Sequence, residues 1–422
     1  MRYKLIAAGF ACFVAGCTSI NSTSFSNMSS AYREVIESYS NDNILLNVVR
    51  SSKNMPLSFL DIPSVIGTGN VAVNAGAGVI SNAGPATASY APESTGTGTV
   101  GLAVNSGFTF TQASLDNAQF MQSFLKEIPL SVLGMKGSER LLPRAVSYTL
   151  LIESVELRTN NTVVHRFNND PLDPNYLEFQ NLLYLLIESG LTVENTQAKV
   201  PLGPVLDKSV LTKSIDSWGA STIDNLAKGV FTLDKVGGVN SGQYQLMQNT
   251  TTQRVCVNKD RAQELLGDML SANSYCKDSP HYPHSDSSYA KAIKAFVTAY
   301  PNAKNMELVI GIRSPANVFD FLGSVLNAQY QGDGSNAVMI KPSKSVFDGY
   351  NKRYKEPHPL FKVYRNETIS NPAAVVTYKG VTYAISDSDD SYSKDVMEFM
   401  STLVTVSKIP GAIPASPAVV VR

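Results

Sequence analysis

Between Asp61 and Asp116 the chain carries one charged residue, Glu93. At ordinary usage of about one charge in four, a stretch of this length holds roughly a dozen. Alternation takes their place. In "TVGLAVNSGFTFT", residues 99 to 111, Val100, Leu102, Val104, Phe108 and Phe110 share one parity. Gly101, Ala103, Asn105, Gly107 and Thr109 share the other. "GTGNVAVNAGAGVISN", from Gly67, repeats the pattern, with Val71, Val73, Ala75, Ala77 and Val79 set against Asn70, Ala72, Asn74, Gly76 and Gly78. A period of two is that of a β-strand, so the pattern predicts a hairpin over 67–112, turning through the loop that holds Pro85, Tyr90, Pro92 and Glu93.

Each arm of that hairpin is about eleven residues, the length a tilted strand needs to cross a hydrocarbon core. In a membrane the Val, Leu and Phe positions suit lipid, and the Gly, Ala, Asn and Thr positions suit a water-facing interior. Phe108, Phe110 and Tyr90 would serve as interfacial anchors. Lipid tolerates no open sheet edge, so one hairpin cannot insert alone and several copies must close a barrel together. The same alternation also fits a soluble antiparallel sheet with one buried face. Gly-, Ala- and Ser-rich sequence fits an unstructured loop as well.

The first seventeen residues, MRYKLIAAGFACFVAGC, give a destination. Arg2 and Lys4 precede an apolar run from Leu5 to Val14 that is too short to span a bilayer as a permanent helix, which is the pattern of a signal peptide. Val14-Ala15-Gly16-Cys17 resembles the lipobox of bacterial lipoproteins. The resemblance implies cleavage before Cys17, leaving residues 1–16 as the signal, with a diacylglyceryl thioether and an N-acyl chain on Cys17. Each buried methylene contributes about 0.8 kcal/mol, so several acyl chains, palmitate among them, hold firmly. Thr18 and Ser19 follow, with no Asp next to the cysteine, and in Gram-negative lipoproteins that pattern implies the outer membrane. Residues 17–30, Ser/Asn/Thr-rich after the cysteine, predict a flexible tether.

Formal net charge is zero and no Lys/Arg run stands out, which argues against a nucleic-acid partner. Cys12 lies in the signal and Cys17 is the lipidation candidate, leaving Cys256 and Cys276 about twenty residues apart. In an oxidising compartment these predict a disulfide, worth roughly 3 kcal/mol in the chain-entropy model.

Helices are predicted from Ser30 to about Lys53, after Asp116 (with Phe120 and Phe124 on one face), after Asp173-Pro174 to Gly190, after Ser314-Pro315, and from Lys394 to Ser407. Strands are predicted at Leu57–Ile66, over 145–157 ("AVSYTLLIESVEL"), at "MELVIGIR", in a hairpin turning at Lys379-Gly380, and in a terminal segment ending at Val421. No steady βαβ rhythm runs through them, so the expected class is α+β: a mixed periplasmic body with a Gly/Ala-rich amphipathic β-hairpin insertion. The expected organisation is an α+β domain over 31–215, an irregular region with the Cys pair over 216–300, and a C-terminal α+β domain over 301–422.

Motifs of catalysis are missing: no Gly-x-Ser-x-Gly, no His-Glu-x-x-His, no phosphate-cradling Gly-Lys-Ser/Thr. Cys276, His281, Tyr282, His284 and Asp286 match no attested zinc spacing and read as a surface loop. "DSDDS", from Asp387, lacks the spacing of an EF-hand and reads as a turn before the last helix. His165 and His358 have no evident partners in sequence. Arg313 ends a strand just before a helix N-terminus, a place where anions bind, although Ser314-Pro315 is explained by capping alone. No cofactor, metal or enzymatic activity is expected.

"NILLNVVRSSKNMPLSFLDIPSV", "FMQSFLKEIPLSVL", "IGIRSPANVFDFLGSVL" and "VVTYKGVTYAI" resemble successive blocks of a family of uncharacterised proteobacterial lipoproteins. The resemblance implies a lipid anchor and one co-evolved unit, and no activity, ligand or catalytic residue. The expected function is therefore a structural or assembly role in the outer-membrane envelope, extending to an oligomeric export or secretion pore built on the hairpin. The membrane, through the lipid anchor, and further copies or envelope proteins would be its partners. The alternative is a monomeric periplasmic lipoprotein that binds a partner protein or an envelope polymer.

Overall fold

The computed structural model describes residues 20–77, 98–115, 118–134, 142–215, 217–237, 241–278, 296–331, 338–341 and 356–408. Cys17, Val79, Tyr90, Asp116, the stretch from His281 to Asp286 and the terminal segment ending at Val421 lie outside them. Helices and strands mix in several small sheets, so the fold is α+β. Two compact units emerge, divided after Leu57 and again within helix α2 (Ala118–Leu125), between Met121 and Gln122.

The larger unit, the body, is organised by α1 (Ile20–Ser51) and α9 (Pro315–Gln329); α1 starts ten residues before Ser30, so a helix stands over most of the segment expected to be a flexible tether. Ile44, Leu45, Val48 and Val49 put a buried stripe on the last turns of α1. Gly323 on α9 lets the two helices meet: a Cβ there would stand 2.8 Å from the backbone nitrogen of Ser52. Ser51 Oγ donates to Asp320 at 2.9 Å, and Asn327 Nδ2 donates to the Ser52 carbonyl at 2.9 Å. Ser314 caps α9 by accepting from Asn317 N–H at 3.1 Å, with Pro315 in the first turn, as the sequence predicts.

β13 (Pro372–Tyr378) and β14 (Val381–Ser386) form the expected hairpin, closed by Lys379 at φ 50° and Gly380 at φ 81°. Two successive positive φ values mark the turn whose twist matches its strands. β12 (Tyr364–Arg365) adds to β14, and α1 docks here when Asp42 accepts from Val375 N–H at 2.8 Å. α10 (Ser393–Ser407) closes the element order of the body.

Residues 145–157 correct the sequence reading. They divide into a helix, α4 (Arg144–Leu151), and then a strand, β3 (Ile152–Thr159). Every residue from Ala145 to Leu151 is buried, so packing on all sides overrides the β propensity of Val146, Tyr148 and Thr149. β3 pairs with β4 (Thr162–Asn168) on one side and β9 (Glu307–Ile312) on the other. One sheet thus joins segments that the sequence suggests are separate domains. α5 (Tyr176–Glu188) starts two residues later than Asp173-Pro174 suggests: its N-cap is Asn175, and Asp173 accepts Asn175 N–H at 2.8 Å. Gly190, at φ 75°, makes the exit.

The third part of the body is an arm. β8 (Gln243–Cys256) is its spine, with β5 (Thr192–Pro201) and β6 (Leu206–Asp207) along one side and β7 (Phe231–Val236) along the other. Two short helices, α6 (Lys208–Ile215) and α7 (Ala220–Ala227), connect these strands. α8 (Lys259–Leu266) follows β8.

The smaller unit is a two-stranded ribbon, β1 (Leu60–Ala77) with β2 (Gly98–Ser114), together with the start of α2. At its root Phe59 and Phe120 meet edge to face at 5.8 Å. The register shifts between Asp61 and Ser64, around Pro63, whose missing N–H excludes it from a regular ladder.

Candidate functional site

The ribbon is where sequence and backbone converge. Past the shift the pairing runs unbroken from Ser64↔Thr111 to Ala77↔Gly98. It sets Val65 opposite Phe110, Val71 opposite Val104, Val73 opposite Leu102 and Ala75 opposite Val100. Between these rungs Thr68 lies opposite Gly107, Asn70 opposite Asn105, Asn74 opposite Gly101 and Gly76 opposite Thr99. Paired residues share a face, so the two alternations are in phase: one apolar face, one small and polar, with Ile66 the exception on the second. Phe108 lies opposite Gly67 on the apolar face. A slip of one residue would have opposed each apolar position to a polar one.

At about 3.3 Å per residue each strand is on the order of 55 Å long, well beyond the roughly 30 Å of a hydrocarbon core. Among the described residues neither strand pairs with any other, so both outer edges of the ribbon are open. An isolated hairpin is marginal in water, and an open edge is a template for another strand.

The remaining candidates fall into place in the body. Cys256 and Cys276 are joined in a disulfide with their Cα atoms 5.0 Å apart. Glu194 lies within 4.8 Å of both sulfurs. It is held by an ion pair with Arg254 at 2.5 Å and by Lys277 N–H at 2.9 Å, so with the thiols oxidised the group is not a metal-binding set. His165 packs half-buried against Phe167 and Tyr300. Tyr300 donates to Glu178, and burial together with that carboxylate raises its pKa. His358 lies on the short strand β11 (His358–Pro359), which pairs with β10 (Met339–Ile340). Asp389 accepts from Ser391 N–H and Oγ, and Asp387 pairs with Lys394 at 3.0 Å, so the acidic run is a turn leading into α10.

Arg313 is no anion site. The residue is 4% exposed, and its guanidinium lies 4.0 Å over the Phe321 ring and donates to the carbonyls of Thr149, Leu150, Ile152 and Asn169. Burial lowers its pKa to about 10. This role was hidden in the sequence, because the carbonyls it serves lie more than 140 residues away. A groove of about 830 Å³ between α1 and α10, lined by Glu34, Glu37, Asp387 and Glu398, likewise had no linear signal.

No helix among the described residues is long and apolar enough to cross a membrane, which says nothing of a β-barrel. Comparison with family models, curated proteins and solved structures gives no match.

Proposed function

We propose that this chain is a lipid-anchored protein of the outer-membrane envelope, held by Cys17, whose ribbon joins those of neighbouring copies in a transmembrane barrel. The protein is then an oligomeric pore component of export or secretion type, with its body on the periplasmic side. The observation that carries this reading is the in-phase register of β1 and β2 across a charge-free stretch. An apolar face for lipid, a polar face for water and two open edges are what a barrel stave requires, and only closure by further copies satisfies those edges in hydrocarbon. Nothing in the reading calls for an enzyme.

Purified full-length protein in planar bilayers tests it. Stepwise conductance is expected, and a chain lacking 67–112 should give none. Silent bilayers with the full-length protein, or equal conductance from the deletion, would sink the pore.

A further inference from the structure

The small, polar face of the ribbon carries no charge at all. On the rungs from Ser64↔Thr111 to Gly76↔Thr99 it holds Ser, Thr, Asn, Ala and Gly, with Ile66 the one larger residue. No aromatic or titratable residue falls on it. Lipid explains a charge-free apolar face. It does not explain a charge-free polar one.

A strand face turned to water is ordinarily where a sequence puts its Lys, Arg, Asp and Glu. This chain follows that rule elsewhere. From Asn195 to Thr250 the arm buries only Leu211 among its described residues, so it stands mostly in water. The ladder of β5 and β8 carries Glu194, Lys199 and Arg254, and β7 adds Asp234 and Lys235. With 35 Lys and Arg and 35 Asp and Glu in the whole chain, the absence belongs to the ribbon and not to the composition.

A lumen that sorts solutes by sign needs fixed charge: rings of Asp or Glu favour cations, and rings of Lys or Arg favour anions. In a ring of copies, one charged residue per stave would already make such a ring. The polar face offers carboxamides instead. Asn70 lies opposite Asn105, and Asn74 stands four residues further along the same face. A carboxamide both donates and accepts hydrogen bonds and has no sign to prefer.

We propose that the barrel lumen is indifferent to charge. It passes hydrophilic cargo, anionic or cationic, under the limit of size, and the Asn70/Asn105 rung is the position from which its selectivity can be set. This inference rests on the pore reading above.

Full-length protein in planar bilayers, with the reversal potential read across a KCl gradient, tests it. The permeability ratio of K⁺ to Cl⁻ should lie within about twofold of one. Asn105→Asp should raise that ratio roughly threefold or more, and Asn70→Lys should lower it by a similar factor. Asn70→Lys with Asn105→Asp should return it towards one, because the register sets both residues on a single rung. A second measurement separates selectivity from assembly: Asn105→Cys channels are opened first and then modified in the bilayer with an anionic thiol reagent. The ratio should rise as it does in Asn105→Asp. A strongly unequal ratio in the parent, a double variant as selective as either single one, or open Asn105→Cys channels that modification leaves unmoved would each overturn the proposal while the pore stands. Silent bilayers overturn the pore and this inference together.

Discussion

Arg313 shows how a single side chain can organise a body without touching any ligand. A buried cation that forms no ion pair among the described residues is costly, and here four backbone carbonyls and an aromatic face meet most of that cost, with Glu153 and Asp170 acting from further off. Lysine cannot reproduce the fork, so Arg313→Lys should lower unfolding free energy by about 2–4 kcal/mol in a denaturant titration. A change under about 0.5 kcal/mol would mean the carbonyls do not need the guanidinium. Tyr330 offers a pH test. Its hydroxyl donates to the Val363 carbonyl at 2.5 Å, and partial burial of a residue still 39% exposed, reinforced by Glu367, raises its pKa from 10.0 to about 12. The unfolded phenol ionises first, so its contribution is complete below pH 10 and is lost as pH climbs through about 12. Tyr330→Phe should flatten the fall of melting temperature across that interval; an unaltered slope would refute the assignment. Gln329 Nε2 still serves Val363 in the variant, which limits the loss near neutrality to about 1 kcal/mol.

The elements that could be read from the sequence are those that carry their own punctuation. Ser314-Pro315 starts α9 and Lys379-Gly380 turns a hairpin because each solves a local backbone problem within a few residues. The helix α4 could not be read, since its conformation is decided by burial on every side. Gly323 belongs to the same class: a glycine inside a helix looks like a defect until α1 is seen to pass over it. Gly323→Ala gains about 1 kcal/mol of helix propensity, but its Cβ would meet Ser51 and Ser52 backbone at 3.0 Å or less. The net effect should be a loss of about 1–2 kcal/mol in thermal or chemical unfolding, and a stabilised variant would show that the helices do not cross this closely. The arm extends the point. The sequence reading expects an irregular region over 216–300, and β7, β8 and α8 stand there instead, with only the missing core setting the arm apart.

At the scale of the molecule, two compact units answer to two chemistries. The body holds the ordinary mixture of charge and apolar core, whereas the ribbon has no charge past Asp61 at its root and, among the described residues, no third strand beside it. The alternation of each strand was legible from residue parity alone. The phase between them was not, because register depends on how the two strands meet, and register is what separates an amphipathic ribbon from a mixed one. The central claim is that this ribbon is a membrane stave, and cysteine labelling in isolated membranes tests it most directly. Cys256 and Cys276 are bonded to each other, and under the proposed processing and acylation of Cys17 each introduced thiol is the sole reactive one. A lipid-soluble reagent should mark Val100→Cys, Leu102→Cys and Val104→Cys and miss Gly101→Cys and Ala103→Cys, with a water-soluble reagent giving the opposite pattern. Uniform labelling of all five by the water-soluble reagent would contradict the account and leave the ribbon in water, a tethered binding surface instead of a pore.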